Sequence, residues 1–227
     1  MSLSNAQLAV LKARKAAAKS ALRFFTDIKS VKSVNNPFAS TTSTDLENLI
    51  GYRHDRTTYN SISQDIENAA HYQVGNCDEK ARICYASLKS NPRIGAGAGV
   101  NGSSQVSLCT AVGYDHVFVV VSNLLVQAPM RLSALPATAM IVDGWTEDWY
   151  FPQLPWTTAK WYGLGNTPNP RQLYVRNKIA SHRFQGYGYG KGGPPPDVSE
   201  IVSRLGQTGW DIYEYDNGKI AYSEPVR

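Results

Sequence analysis

Three widely separated side chains have the residue types that acyl transfer requires. Cys77 stands in "HYQVGNCDEKARICYASL" (71–88), where Gly75-Asn76 gives way to a helical pattern. Asn76 is a good N-cap, and Asn76-x-x-Glu79 fits a capping box, so Cys77 is expected as the first helical residue. At that position the helix macrodipole and unpaired backbone N–H groups favour a thiolate, the nucleophilic form of cysteine. His116 lies in "DHVFVVV" (115–121), on one pleat face with Phe118 and Val120. Asp143 ends the apolar run "ATAMIVD" (137–143). A carboxylate buried there without a partner costs several kcal/mol. An imidazole on the neighbouring strand would satisfy it and fix the ring's tautomer. Nucleophile, base and orienter on helix, strand and strand follow the Cys-His-Asp logic of acyl transfer.

The other histidines and cysteines read more blandly. His54, among charged residues, and His182, before a glycine-rich stretch, read as surface; His71 reads as local packing. Ala81, Cys84, Tyr85 and Leu88 continue one helix face, so Cys84 reads as core, and that face is expected to lie on a sheet with Cys77 pointing toward the strands. Three cysteines argue against a disulfide framework. Cys77 and Cys84 would be about 10 Å apart on one helix, beyond the ~7 Å reach of a bridge. No C-x-x-C or H-x-x-x-H spacing suggests a metal, and no cofactor is expected.

"GNCDEKA" (75–81), "DHVFVVV" (115–121) and "IVDGW" (141–145) together resemble the three catalytic blocks of the transglutaminase-like branch of papain-like cysteine enzymes. Their order and element types are similar over roughly residues 70–150. The resemblance implies Cys77 as nucleophile, His116 as general base and acid, and Asp143 as orienter. It departs at Gly144, where the family often has proline, while the tryptophan that commonly follows is present as Trp145. The Cys77 backbone N–H is a natural oxyanion donor. By analogy Gln73 is a second; it reads equally as a turn residue bonding its own backbone. Trp145 reads as a wall of the site or as a core ring. A small protein of this kind also looks like bacterial effector or toxin domains that deamidate or crosslink protein glutamines.

The elements that must position these residues give an α+β fold: a papain-like or transglutaminase-like core with an N-terminal helical part packed on an antiparallel β-sheet. Residues 5–25 read as a helix with a stripe of Leu8, Leu11, Ala18, Leu22 and Phe25. A turn-rich stretch leads to a short helix capped by Asp45, a second starts at Ser61 or Ser63, and the cysteine helix spans about 77–89, ending before Pro92. "RIGAGAGVNGSSQ" reads as a loop, not a phosphate cradle, because no Lys-Ser/Thr follows. Strands are expected at 106–112, 115–121 and 137–143, the first two joined by a tight Gly113-Tyr114 turn. Residues 144–178, with Trp145, Trp149, Trp156 and Trp161 among prolines, read as irregular structure packed by large rings. The organisation expected is a catalytic domain over 1–183, with its helical region at 1–70, then a Gly/Pro-rich linker at 184–197. A small helix-hairpin appendage follows at 198–227, turning at Asp216-Asn217-Gly218.

The composition is that of a globular protein, 42% hydrophobic and 18% charged. No run approaches the ~20 apolar residues of a membrane span, and no secretory leader is visible. The net charge of +5 gathers in the first thirty residues, at Lys12, Arg14, Lys15, Lys19, Arg23 and Lys29. That face reads as solvated; weak membrane contact is the alternative, and no nucleic acid is expected. Reduced thiols fit a cytoplasmic protein, or one secreted without a classical leader into a reducing host cytosol.

The function expected is a cysteine-dependent enzyme that attacks carboxamides, a protein glutamine deamidase or transglutaminase working through a Cys77 thioester. Its partners would be a glutamine-bearing protein and, for a transglutaminase, a lysine or other amine as acyl acceptor. A papain-like protease is the alternative enzyme. A protein-binding module on a degenerate papain-like fold is the alternative from another class.

Overall fold

The computed structural model describes residues 3–28, 30–34, 41–55, 62–95, 104–165 and 167–186, with two strands near the C-terminus. It is an α+β fold: helices packed on a five-stranded antiparallel sheet. The helical part begins with α1, Asn5–Arg23, whose Ser4 and Gln7 exchange the two bonds of a capping box. A π turn, Phe24–Ile28, follows it. Leu11, Ala18, Leu22 and Phe25 of the expected stripe are buried. Helix α2, Ser43–His54, starts one turn earlier than the sequence suggests, because Thr42 is its N-cap and Asp45 is the third helical residue. Helices α3, Ile62–Tyr72, and α4, Cys77–Ser90, follow, and the turn α5, Pro92–Gly95, ends this part. Residues 96–103, most of the glycine-rich loop, lie outside the described residues.

The sheet is built from β1, Gln105–Ala111, β2, Val117–Ser122, β3, Met140–Asp143, β4, Asp148–Tyr150, and β5, Phe184–Gly186, in the spatial order β4-β3-β2-β1-β5. Central strand β2 is buried at every position because both of its faces are covered. Val117, Val119 and Val121 face α4, as do Met140 and Val142, and meet Ala81, Cys84, Tyr85 and Leu88 there. Phe118, Val120 and Ile141 face the other way, onto Val175 and Ile179 of α7, Pro170–Ser181. Burying a Val, Ile or Phe side chain is worth about 1.5–3 kcal/mol, so these two layers hold the sheet.

Several elements differ from the sequence reading. The β1–β2 connection is the five residues 112–116 and not a two-residue turn, and the Ala111 N–H donates to the His116 carbonyl across its base. Gly113 takes the left-handed conformation there, at φ 79°. His116 therefore precedes β2. The 144–178 stretch is more regular than its prolines and tryptophans suggest: it holds β4, α6 (Trp156–Trp161) and most of α7. Helix α7 begins because Asn169 caps it and Pro170, which has no N–H to lose, takes the first position. Phe184–Gly186, expected to open the linker, instead pairs with β1 as β5, so the sheet extends past residue 183. The rest of the expected linker lies outside the described residues. Near the C-terminus, β6 (Ile212–Asp216) and β7 (Lys219–Tyr222) form the antiparallel pair expected around Asp216-Asn217-Gly218, with Asp216 opposite Lys219.

Arg14, counted by sequence in the basic face of the first helix, is buried. It donates to the Thr138 carbonyl at 2.5 Å and to Ser104 Oγ at 2.9 Å, and also to Asn123 Oδ1. The charge is a tie between α1 and the sheet, not part of a solvated patch. No described helix is long and apolar enough to cross a membrane.

Candidate functional site

The register places the ends of four strands together. Thr110 pairs with Val117, Val119 with Val142, and Asp143 with Asp148, so the last residues of β1 and β3 and the first of β2 and β4 share one end of the sheet. The N-terminus of α4 comes to the same end. Asn76, with extended φ and ψ, turns the backbone into the helix, and its N–H donates to Glu79 Oε2 at 2.9 Å. Cys77 is then the first helical residue, as the sequence indicates. Its surroundings are different from those expected. Ala81, Cys84 and Leu88 meet the α4 side of the sheet, whereas Cys77 packs with Phe118, Ile141 and Trp145 on the other side. The first turn of α4 projects past the strand ends, so its leading side chain reaches round them.

His116 meets Cys77 there. The His116 Nε2 and Asp143 Oδ2 are 2.8 Å apart, both side chains are almost fully buried, and Cys77 lies near enough to the same ring to act on its charge. With Nε2 held by the carboxylate, Nδ1 is the nitrogen left for sulfur. Burial alone would push the imidazole down; the charge and hydrogen bond of Asp143, joined by those of Cys77, outweigh it and raise it to about 10. Burial likewise opposes the Asp143 carboxylate. The His116 charge and hydrogen bond, with the N–H groups of Thr146 and Trp145, hold it below the usual carboxylate range. Those two N–H groups donate to Oδ1 at 3.2 and 2.9 Å. Both oxygens of a buried carboxylate are thus satisfied, one by the ring and one by the turn that follows β3.

Gly144 makes that turn possible. A Cβ there would come 2.9 Å from the Lys80 carbonyl oxygen and 3.1 Å from Cys84 Sγ. The close approach of α4 leaves no room for any side chain, a proline ring included. Trp145 is both readings at once: it is buried, and its ring meets His116 edge to face at 5.7 Å. Gln73 is exposed and adopts a left-handed φ of 56°. What ties it down is backbone, its carbonyl accepting from the Lys32 N–H at 2.8 Å and its N–H donating to Ala69.

His54 and His71 are exposed. His182, read from sequence as surface, is half-buried and stacks on Tyr114 at 5.7 Å, and Tyr114 in turn lies 5.8 Å from the His116 ring. Burial, reinforced by Tyr174, Asp143 and Cys77, raises the Tyr114 phenol to about 12. It is a neutral O–H donor at any physiological pH. Neither Tyr114 nor Arg171, whose guanidinium covers the outer face of Trp145 at 4.8 Å, carries a sequence signal. Tyr114 looks like a turn residue, and Arg171 belongs to a helix the sequence does not show. On β4, Asp148 is held by Arg176 of α7 through bonds of 2.7 and 2.9 Å. Burial nevertheless keeps it above the usual carboxylate range. All three cysteines are free; Cys84 and Cys109 are fully buried, and burial raises both thiols. Among the described residues no group of three or more His, Cys, Asp or Glu side chains could hold a metal ion.

No protein-family model, no curated protein and no solved structure matches this sequence.

Proposed function

We propose that the protein is a cysteine-dependent acyl-transfer enzyme acting on carboxamides, with a papain-like or transglutaminase-like core and protein-bound glutamine as substrate. The observation that carries the reading is the buried His116–Asp143 hydrogen bond at the end of the sheet, with Cys77 beside the same ring. A hydrogen-bonded imidazole–carboxylate pair beside a thiol at a helix start is the arrangement that nucleophilic catalysis by cysteine uses.

In the first half-reaction the sulfur, its proton held on His116 Nδ1, attacks the carboxamide carbon. The developing oxyanion is met by the Cys77 backbone N–H, which as the first helical N–H has no acceptor inside the helix. When the C–N bond breaks, the nitrogen takes the proton from His116 and leaves as ammonia, and a Cys77 thioester remains. Water, giving a proton to His116 as it attacks, then yields glutamate and the free thiol. A lysine amine in place of water yields an isopeptide crosslink. His116 serves as acid when ammonia leaves and as base when water attacks, and Asp143 keeps Nδ1 aimed at sulfur throughout. The free thiols fit a reducing compartment, such as a cytoplasm or the host cytosol reached by a bacterial effector.

The test is a proteome incubated with the wild-type protein or with Cys77→Ala, followed by peptide mass spectrometry. Glutamine-to-glutamate conversion or amine conjugates, present only with the wild type, are the expected products. New peptide termini in their place would make the enzyme a protease; the same peptides in both samples would overturn the reading.

A further inference from the structure

A cleft of about 500 Å³ opens beside the proposed triad, lined by Thr26, Ser30, Lys32, Ser33, Glu147 and Arg171 among others. Its wall is the segment Val31–Val34. Lys32 bridges to Val74 just ahead of the nucleophile, with the Gly75 N–H donating to its carbonyl at 2.9 Å, and Ser33 Oγ donates to the Trp145 carbonyl at 3.0 Å. One strand-like stretch thereby joins the approach to Cys77 to the turn that follows Asp143.

The charges in this cleft do not cancel. Asp45 is taken by Lys32 at 3.0 Å and by Thr42. Glu147 is taken by the buried Lys80, also at 3.0 Å. Arg171 remains. No carboxylate among the described residues lies within salt-bridge distance of it. It donates a long hydrogen bond, 3.3 Å, to Ser33 Oγ, and its Nε is buried with no acceptor among the described residues. A guanidinium partly removed from water, spread on an indole, with Glu147 and Asp143 acting on it only from beyond salt-bridge distance, is an arrangement that an incoming carboxylate would complete.

We propose that this cleft is a substrate subsite for a carboxylate, with Arg171 as the specificity-determining residue. The proposal rests on the acyl-transfer reading of the triad. The Trp145 ring contacts both groups, its centre 4.8 Å from the guanidinium and 5.7 Å from the centre of the imidazole. At about 3.4 Å per extended residue, a separation no greater than those two distances together places the carboxylate within about three residues of the reacting glutamine. The substrate class is therefore a glutamine flanked at short range by Asp or Glu, or one close to the C-terminus of its protein.

Binding to the Cys77→Ala protein tests this without needing turnover, so the subsite and the chemistry can fail separately. Three labelled peptides share one glutamine: one with Glu two or three residues away, one with Gln there, and one ending in a free carboxylate at that distance. Fluorescence anisotropy is expected to show about tenfold tighter binding of at least one carboxylate peptide over the neutral one, the size of a single charge-assisted contact. Which carboxylate peptide gains identifies the source of the charge. Adding Arg171→Gln is expected to bring the ratio to about one, and Arg171→Glu to invert it. Equal affinity for all three peptides, no binding of any, or a preference that survives Arg171→Gln would overturn the subsite. A Cys77→Ala protein as active as the wild type on amides would overturn the acyl-transfer reading instead.

Discussion

Asp143→Asn leaves the protein folded and lowers acyl-transfer kcat by about 10²- to 10⁴-fold, the range seen when a triad's orienting carboxylate becomes an amide. The substitution is nearly isosteric. Its remaining oxygen can still accept from the N–H groups of Trp145 and Thr146, so the turn after β3 keeps its shape. What changes is the group facing His116. An amide NH₂ donates to Nε2, which moves the ring proton to Nδ1 and turns a donor toward the sulfur. The ring in that tautomer accepts no proton from the thiol. Asp143→Ala has a different signature: it leaves the imidazolium buried beside an empty space and costs about 3–5 kcal/mol of stability. Steady-state kinetics and urea unfolding on both variants separate the two effects. Asp143→Asn with wild-type kcat would remove the carboxylate from the mechanism.

The second large effect is on stability and follows from the same pair. His116 is raised from its ordinary 6.5 to about 10 in the folded protein. Between those values the folded state binds more protons than the unfolded one, so the contribution is fully present below about pH 6.5 and is lost as pH rises through 10. Asp143 is shifted the other way, below its ordinary 3.8, so its contribution is present above that pH and lost as the solution becomes more acid. The pair therefore contributes most at mildly acid pH. His116→Gln keeps a group that can bond Asp143 but carries no charge. The gap in unfolding free energy between wild type and this variant is expected to be a few kcal/mol at pH 6 and to shrink steadily toward pH 10. A gap that stays constant with pH would mean that the ring is neutral in the folded state.

The sequence shows the three chemical residues because each carries local signals. Asn76 and Glu79 mark the helix start, and an aspartate ending an apolar strand demands a partner. What it does not show is how they meet. The Ala81–Leu88 stripe implies that the whole of α4 lies on the sheet, yet Cys77 meets the opposite layer, because the helix starts at the strand ends and its first side chain reaches round them. That geometry depends on where the helix starts relative to the strands, which no short window of sequence contains. Helix α7 and β5 are missed for a related reason. Few of the α7 side chains are buried, Val175 and Ile179 among them, and β5 is three residues paired with a strand far back in the sequence. Their stability comes from tertiary contacts and not from pattern. Arg171 and His182, near the two ends of α7, are hidden with them, and Tyr114, which neighbours the imidazole, looks like a turn residue.

The proposed catalysis depends on His116 and Asp143 activating one sulfur among three, and alkylation measures that without a known substrate. Native protein is treated with limiting iodoacetamide at neutral pH, and each cysteine is followed by peptide mass spectrometry. The expected result is modification of Cys77 at least about 100-fold faster than Cys84 and Cys109, whose burial raises their thiols and shields them. That advantage should be largely lost in both His116→Gln and Asp143→Asn. Labelling of Cys77 no faster than of the two core cysteines, or a fast rate untouched by either substitution, would contradict such activation.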